Sequence, residues 1–289
     1  MISQQRTQSF SINEIIYEKY EVYGNRFIII DSRINNIDLF QMNSLAKHLC
    51  NQKLTRADNL IIIQNSDIAH FRVRFIAPDG SESDMCGNGI RSVALYYFNT
   101  YGIKQLNIEV NYGIVESVYY SNGIEINVGY IKDPRIYFGN GLKYEKIFEN
   151  IYMTNLLGNE VFLLNIGEPH AVIIKRNNDI NLMDFVNILN NKNYFNFGIN
   201  LNLLEHLDSN ILSNKTLERG LWNFTSNCST GSICSSIIAK LILHLDYDDF
   251  IVKNRLGIQN VRITKNGIRS FSNAKKIFSG RFNLLNLQN

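Results

Sequence analysis

The sequence predicts a mixed α/β protein, mostly strand, laid out as two similar halves. Three observations predict it. Short runs rich in β-branched and aromatic residues recur along the chain. Two stretches carry helical periodicity. Each of those helices is entered through a turn of the form C-x-[NT]-G, once near the first third of the chain and once near the last.

The strand candidates, in order, are Arg26–Asp31 (RFIIID), Asn59–Gln64 (NLIIIQ), His70–Ala77 (HFRVRFIA), Leu106–Asn111 and Val161–Ile166. Asn122-Gly123 and Asn266-Gly267 each sit between alternating segments and predict tight hairpins. From Gly89 to Tyr101, residues Ile90, Val93, Ala94 and Tyr97 recur at i, i+3, i+4, i+7. From Ser232 to Leu245, residues Cys234, Ile238, Leu241 and Leu245 share one helical face. Three prolines and no Ser/Gly-rich linker leave the domain boundary unmarked.

The 289 residues suffice for one large domain or two ordinary ones. A formal charge of +3, with no basic cluster interleaved with aromatics, argues against nucleic acid as a partner. Residues Met1–Ile16 lack the apolar core of a signal peptide, and no apolar run is long enough to span a bilayer, so no membrane association is expected. The expected location is the cytoplasm. There, Cys50, Cys86, Cys228 and Cys234 are reduced thiols. Their spacing contains no CxxC, and no nearby histidines complete a zinc pattern, so no metal is expected.

Cysteine is most often a small buried hydrophobe, and Cys50 and Cys234 are assigned to packing. The matched settings of Cys86 and Cys228 point elsewhere. A thiol at a helix N-terminus lies at the positive end of the helix dipole, which should lower its pKa towards the physiological range. The first-turn N–H groups of Gly87, Asn88, Thr230 and Gly231 should be free to hold a carboxylate. Two such turns facing one another would flank a single carbon. One thiolate would remove its proton and the opposite thiol would return one, inverting the centre.

At Asp79–Arg91 the chain reads DGSESDMCGNGIR, which closely resembles the first active-site motif of diaminopimelate epimerases. YGNRF at Tyr23–Phe27, ADNL at Ala57–Leu60, GEPH at Gly167–His170, GIN at Gly198–Asn200, ERG at Glu218–Gly220 and IFSGRF at Ile277–Phe282 follow in the family's order. Asn88 favours this branch over proline racemase-like enzymes, which typically carry histidine there. The resemblance implies two pseudo-symmetric domains, each a curved, mainly antiparallel sheet around a central helix: residues 1–131 with 277–289, and residues 132–276. It implies an epimerase or racemase that needs no cofactor, takes an amino acid as its small-molecule substrate and forms a homodimer. Cys86 and Cys228 would be catalytic. Asn25, Asn59, Gly87, Asn88, Glu168, Asn200, Glu218, Arg219, Ser229 and Thr230 would contact substrate.

The departures concern substrate reading. Ala77 and Glu168 stand where the family has asparagine, Asn59 where it has glutamine or glycine, and LWNFTSN (221–227) replaces the AGET-type stretch. The second turn reads CSTG. Glu168 is expected either to pair with Arg219 or to favour a cationic side chain. The substrate stays open between diaminopimelate (L,L to meso) and a basic amino acid such as histidine, lysine, ornithine or arginine; a non-catalytic amino-acid binder is the reading from another class. His170 is expected to order its loop, and Trp222 to pack.

Overall fold

The computed structural model describes residues 14–35, 37, 41–51, 53–176, 180–220 and 223–287. Most of the amino-terminal segment (1–13) and Trp222, both assigned from sequence, lie outside these residues.

The first half contributes strands β1 (Glu14–Val22), β2 (Asn25–Asp31), β3 (Asn59–Gln64), β4 (Phe71–Ile76), β5 (Glu82–Ser83), β6 (Gln105–Val110), β7 (Gly113–Tyr120) and β8 (Gly123–Asn127), with helices α1 (Met42–Leu49) and α2 (Gly87–Tyr101). The second contributes β9 (Glu145–Phe148), β10 (Ile151–Leu156), β11 (Asn159–Asn165), β12 (Pro169–Ile174), β13 (Asn200–Asp208), β14 (Ile211–Leu217), β15 (Asp249–Lys253), β16 (Ile258–Thr264) and β17 (Gly267–Ser272), with helices α3 (Val186–Leu189) and α4 (Ser229–Ile242). The last strand, β18 (Lys275–Asn283), returns to pair with β1.

The duplication is visible in the pairing. From β1 through β2, β3, β4, β6 and β7 to β8, successive pairs run antiparallel, parallel, antiparallel, parallel, antiparallel, antiparallel. From β11 through β12, β13, β14, β15 and β16 to β17 the same order repeats. β8 pairs with β17 and joins the two sheets.

The continuous apolar runs follow from burial on both faces. Phe27, Ile29, Ile61 and Ile63 face the core that contains α2, while Ile28, Ile30, Leu60 and Ile62 pack with α1 on the other side. In the second half Val172 and Ile174 share a core with α4, and Ala171 and Ile173 lie in the outer cluster with Leu189 of α3. One hydrophobic core contains residues of both α2 and α4. Cys234 lies in that core and Cys50 beneath α1, both buried.

Two local expectations shift. The helices begin at Gly87 and Ser229, two and three positions ahead of the predicted starts, because the cysteines themselves act as N-caps. The hairpins form, but their two connecting residues are Ser121-Asn122 and Lys265-Asn266. Gly123 and Gly267 instead open the returning strands at φ of 155° and 112°. Helix α1 lay unrecognised in the sequence: it is only eight residues long, so its periodicity is brief.

Candidate active site

α2 and α4 meet at their N-termini. Cys86 and Cys228 are the N-caps, with near-identical extended backbones (φ, ψ of −136°, 108° and −119°, 111°). Each sulfur accepts a hydrogen bond from the N–H three residues on: Gly89 to Cys86 at 3.4 Å and Gly231 to Cys228 at 3.3 Å. The N–H of Gly231, expected to be free for a ligand, is therefore engaged. Those of Gly87, Asn88, Ser229 and Thr230 have no hydrogen-bond partner among the described residues. They form the unsatisfied first-turn cradle that a carboxylate fits.

The turns touch through Gly87. A Cβ at that position would lie 2.6 Å from Ser229 Oγ. At Gly89 it would lie 2.5 Å from the Phe75 ring. Both glycines are therefore required by packing within the protein. Asn88 Nδ2 donates to the carbonyl of Asn227 at 3.2 Å, tying the residue after one cysteine to the residue before the other.

Burial, foremost, pushes the thiols up, Cys86 to about 12 and Cys228 to about 11. This reverses the expectation from the helix dipole. A helix terminus contributes at most about 2 kcal/mol, roughly 1.5 pKa units, which the desolvation here exceeds. The Glu218 carboxylate raises both thiols further. Glu218 itself is pushed up to about 7, by burial first and then by Glu168 and Asp58.

Glu168 is buried and already engaged. It forms an ion pair with Arg219 Nη2 and accepts the Asp84 N–H at 3.0 Å. Burial raises its pKa while Arg219 opposes the rise. The Arg219 N–H donates to Asn200 Oδ1 at 2.9 Å, so Asn200, Arg219 and Glu168 form one unit. Asn25 lies at the head of β2, its Nδ2 3.4 Å from Asp58 Oδ2. Asn59 opens the parallel neighbour β3, opposite Phe27, and no hydrogen bond joins it to the cysteine turns among the described residues. The β1–β2 turn reaches the second half at Gly24, where a Cβ would lie 3.3 Å from Ser226 Cβ.

Behind Cys228 runs a directed hydrogen-bond chain. Asn202 Nδ2 donates to the Ala171 carbonyl (3.0 Å) and to His170 Nδ1 (2.9 Å). That leaves the His170 proton on Nε2, which donates to Thr230 Oγ1 at 2.9 Å. The threonine hydroxyl is then left to donate to Cys228 Sγ at 3.5 Å. Burial, followed by the charge of Arg219, drives His170 down to about 3, so it stays neutral. Asp58, Asp84, Asn202 and Asn227 were missed in sequence. Of these, Asp58 stood in the ADNL segment, Asp84 in the first cysteine motif and Asn227 just ahead of Cys228, while Asn202 carried no signal. No group of three or more His, Cys, Asp or Glu is placed to hold a metal among the described residues. Nor is any helix among them long and apolar enough to cross a membrane.

The sequence profile described as diaminopimelate epimerase matches residues 18–132. The diaminopimelate epimerase of Prochlorococcus marinus (strain NATL1A) is 32% identical over 243 residues, 78% of this chain and 84% of that one. That of Clostridium acetobutylicum is 29% identical over 292 residues, covering 94% and 87%. Among solved structures, a phenazine biosynthesis protein of the PhzF family from Bacillus anthracis matches with a TM-score of 0.64 at 16% identity, covering 93% of this chain and 99% of that one. A hydroxyproline epimerase from Agrobacterium vitis, with bound trans-4-hydroxy-L-proline, matches with a TM-score of 0.64 at 9% identity, covering 94% and 93%. These structural likenesses establish the two-half α/β fold.

Proposed function

The chain belongs to the diaminopimelate epimerase family and is an isomerase, and from that premise we propose that it inverts the α-carbon of an amino acid with Cys86 and Cys228 and no cofactor. The observation that carries this reading is the meeting of two cysteine-capped helix N-termini whose free N–H groups converge with the thiols. The substrate carboxylate binds the N–H groups of Gly87, Asn88, Ser229 and Thr230. One cysteine, as thiolate, takes the α-proton, and the electron pair moves into the carboxylate, where the helix termini stabilise it. The other thiol returns its own proton to the opposite face, so the two cysteines exchange protonation states.

Glu218 links binding to activation. It is one of the groups that keep both thiols protonated in the empty site. A substrate α-ammonium beside it cancels its field and lowers both thiol pKa values when the thiolate is needed. We place the two catalytic halves at residues 1–131 with 277–289 and 132–276, the enzyme being a cytoplasmic homodimer.

On the family's side the reaction is conversion of L,L- to meso-diaminopimelate. The Glu168–Arg219 pair favours a second reading, a basic amino acid. In it Arg219 is already neutralised, so a second substrate carboxylate gains less, while Asp58 and Glu218 leave the cleft acidic. Incubation in D₂O with both diaminopimelate isomers, histidine, lysine, ornithine and arginine, followed by chiral separation, tests both readings. Glu168→Asn combined with Ala77→Asn should raise the diaminopimelate preference about tenfold or more, the scale of one buried polar pairing. Efficient turnover of diaminopimelate alone by the unaltered enzyme would discard the basic-substrate reading. Deuterium uptake from none of these amino acids would discard both.

A further inference from the structure

Asp84 lies two residues ahead of Cys86 and takes no part in the chemistry above. Its backbone is fixed on both sides: the N–H donates to Glu168 Oε1 at 3.0 Å, and the carbonyl accepts the Tyr112 N–H at 3.1 Å. Its side chain is held by the Tyr137 hydroxyl, which donates to Oδ2 at 3.0 Å. Oδ1 has no partner among the described residues, and it is not one of their buried unpartnered atoms, so it stays open to solvent. Met85 is buried against Gly167, where a Cβ would lie 2.6 Å from Met85 Cε. Asp84 and Cys86, on either side of it, are both half-buried. The first half of the molecule thus delivers an open carboxylate beside Glu168 of the second.

A single cation serves both carboxylates. Arg219 pairs with Glu168, and its guanidinium carbon lies 5.9 Å from the centre of the Tyr137 ring. No ion pair among the described residues includes Asp84. Two carboxylates joined through one N–H therefore share one guanidinium, and a net negative charge is left over beside an aromatic ring. In a partly desolvated cleft that charge repels a second carboxylate and attracts an ammonium. The reach is also right. Two residues of chain span at most about 7 Å, so Asp84 stands about one long side chain away from the Cys86 turn. A lysine whose α-carbon lies against Cys86 carries its ammonium on a flexible four-carbon stem of that order.

We propose that Asp84 is a specificity-determining residue that accepts the distal ammonium of the bound amino acid on Oδ1, while Tyr137 holds Oδ2, and that the site therefore favours a side chain of lysine or ornithine length. The proposal deepens the basic-substrate reading above and rests on it, but its main test does not depend on turnover. Calorimetric binding to the full chain compares L-lysine with L-norleucine, which lacks only the ammonium. Exchange of α-deuterium is followed in parallel for lysine, ornithine and L,L-diaminopimelate. The unaltered protein should bind lysine about 10- to 100-fold more tightly than norleucine, the scale of one charge-assisted hydrogen bond. Asp84→Asn keeps an oxygen for the Tyr137 hydroxyl and removes only the charge. It should bring lysine to within about threefold of norleucine, with norleucine affinity and the unfolding midpoint unchanged. Asp84→Glu restores the charge and advances it by one methylene, so it should shift the ratio of lysine to ornithine affinity about tenfold towards ornithine.

A lysine preference that survives in Asp84→Asn overturns the proposal, as does an unaltered protein that binds lysine and norleucine equally. Equal losses of lysine and norleucine affinity mark a structural tie to Tyr137 and overturn it too. If Asp84→Asn does not fold, an unchanged lysine-to-ornithine ratio in Asp84→Glu overturns the proposal, and the shift towards ornithine supports it. Deuterium exchange into diaminopimelate alone, beside an Asp84-dependent lysine preference, sinks the basic-substrate reading and leaves Asp84 as the acceptor of a distal ammonium. Exchange into lysine or ornithine with a preference that ignores Asp84 does the reverse.

Discussion

The two cysteine turns share a backbone and differ in what lies behind them. Cys86 and Cys228 cap their helices with dihedrals within 17° and sulfur contacts within 0.1 Å of each other. The buried guanidinium of Arg91 serves both turns, donating to Ser229 Oγ and Asn88 Oδ1; behind Cys228 alone stands a neutral chain of Asn202, His170 and Thr230. Cys228 receives a hydroxyl donor as well as an N–H, and its thiol is pushed up less, to about 11 against about 12. The duplicated fold supplies geometry twice, and the unduplicated side chains make one site bind a proton differently from the other. In the inversion proposed above, such a difference would bias which thiol serves as the base.

The largest effects should come from removing either sulfur. Cys86→Ala and Cys228→Ala should each lower inversion by about 10³-fold or more, the scale of a lost general acid or base, as read by chiral chromatography. Each variant should still wash deuterium into only one enantiomer, and the enantiomers should be opposite for the two variants. Loss of the same enantiomer's exchange in both variants would break the picture of thiols on opposite faces.

Glu218 should act on both turns alike. Its carboxyl, held at about 7, must be ionised to receive an α-ammonium, so kcat/KM should rise about tenfold per pH unit below 7 and level off above it. Glu218→Gln should erase that limb. Stability should run the other way: its folded pKa is raised above 4.5, so its contribution is full below 4.5 and is lost as pH rises through about 7. A kcat/KM profile flat from pH 5 to 8 would exclude this role.

The smallest effect should separate the turns. Thr230→Val removes the hydroxyl donor to Cys228 Sγ. One hydrogen bond of about 0.5–1.5 kcal/mol corresponds to a fall of about two- to tenfold in Cys228 alkylation near pH 8, with Cys86 unchanged. An equal fall at both thiols would deny that the His170 chain serves Cys228 alone.

The strands, both central helices and the paired cysteine turns were legible because they are written in local terms. RFIIID and NLIIIQ announce strands buried on both faces, and Ile90, Val93, Ala94 and Tyr97 announce one helix face. Helix α1 was too short to stand out, and the hairpin glycines were displaced by one position because Gly favours more than one place in a tight turn.

What the sequence by itself determined was the duplicated chain plan and the two capped turns, since caps, periodicity and turns depend on neighbours a few residues apart. The tertiary structure alone decided how those groups titrate and with whom they pair. It desolvated the half-buried thiols enough to outweigh the helix dipoles, spent Glu168 on Arg219, and pressed Gly87 against Ser229. It also set Arg91 beside residues 138 and 179 positions away. Desolvation and long-range pairing depend on what the fold brings near, and no local pattern carries that information.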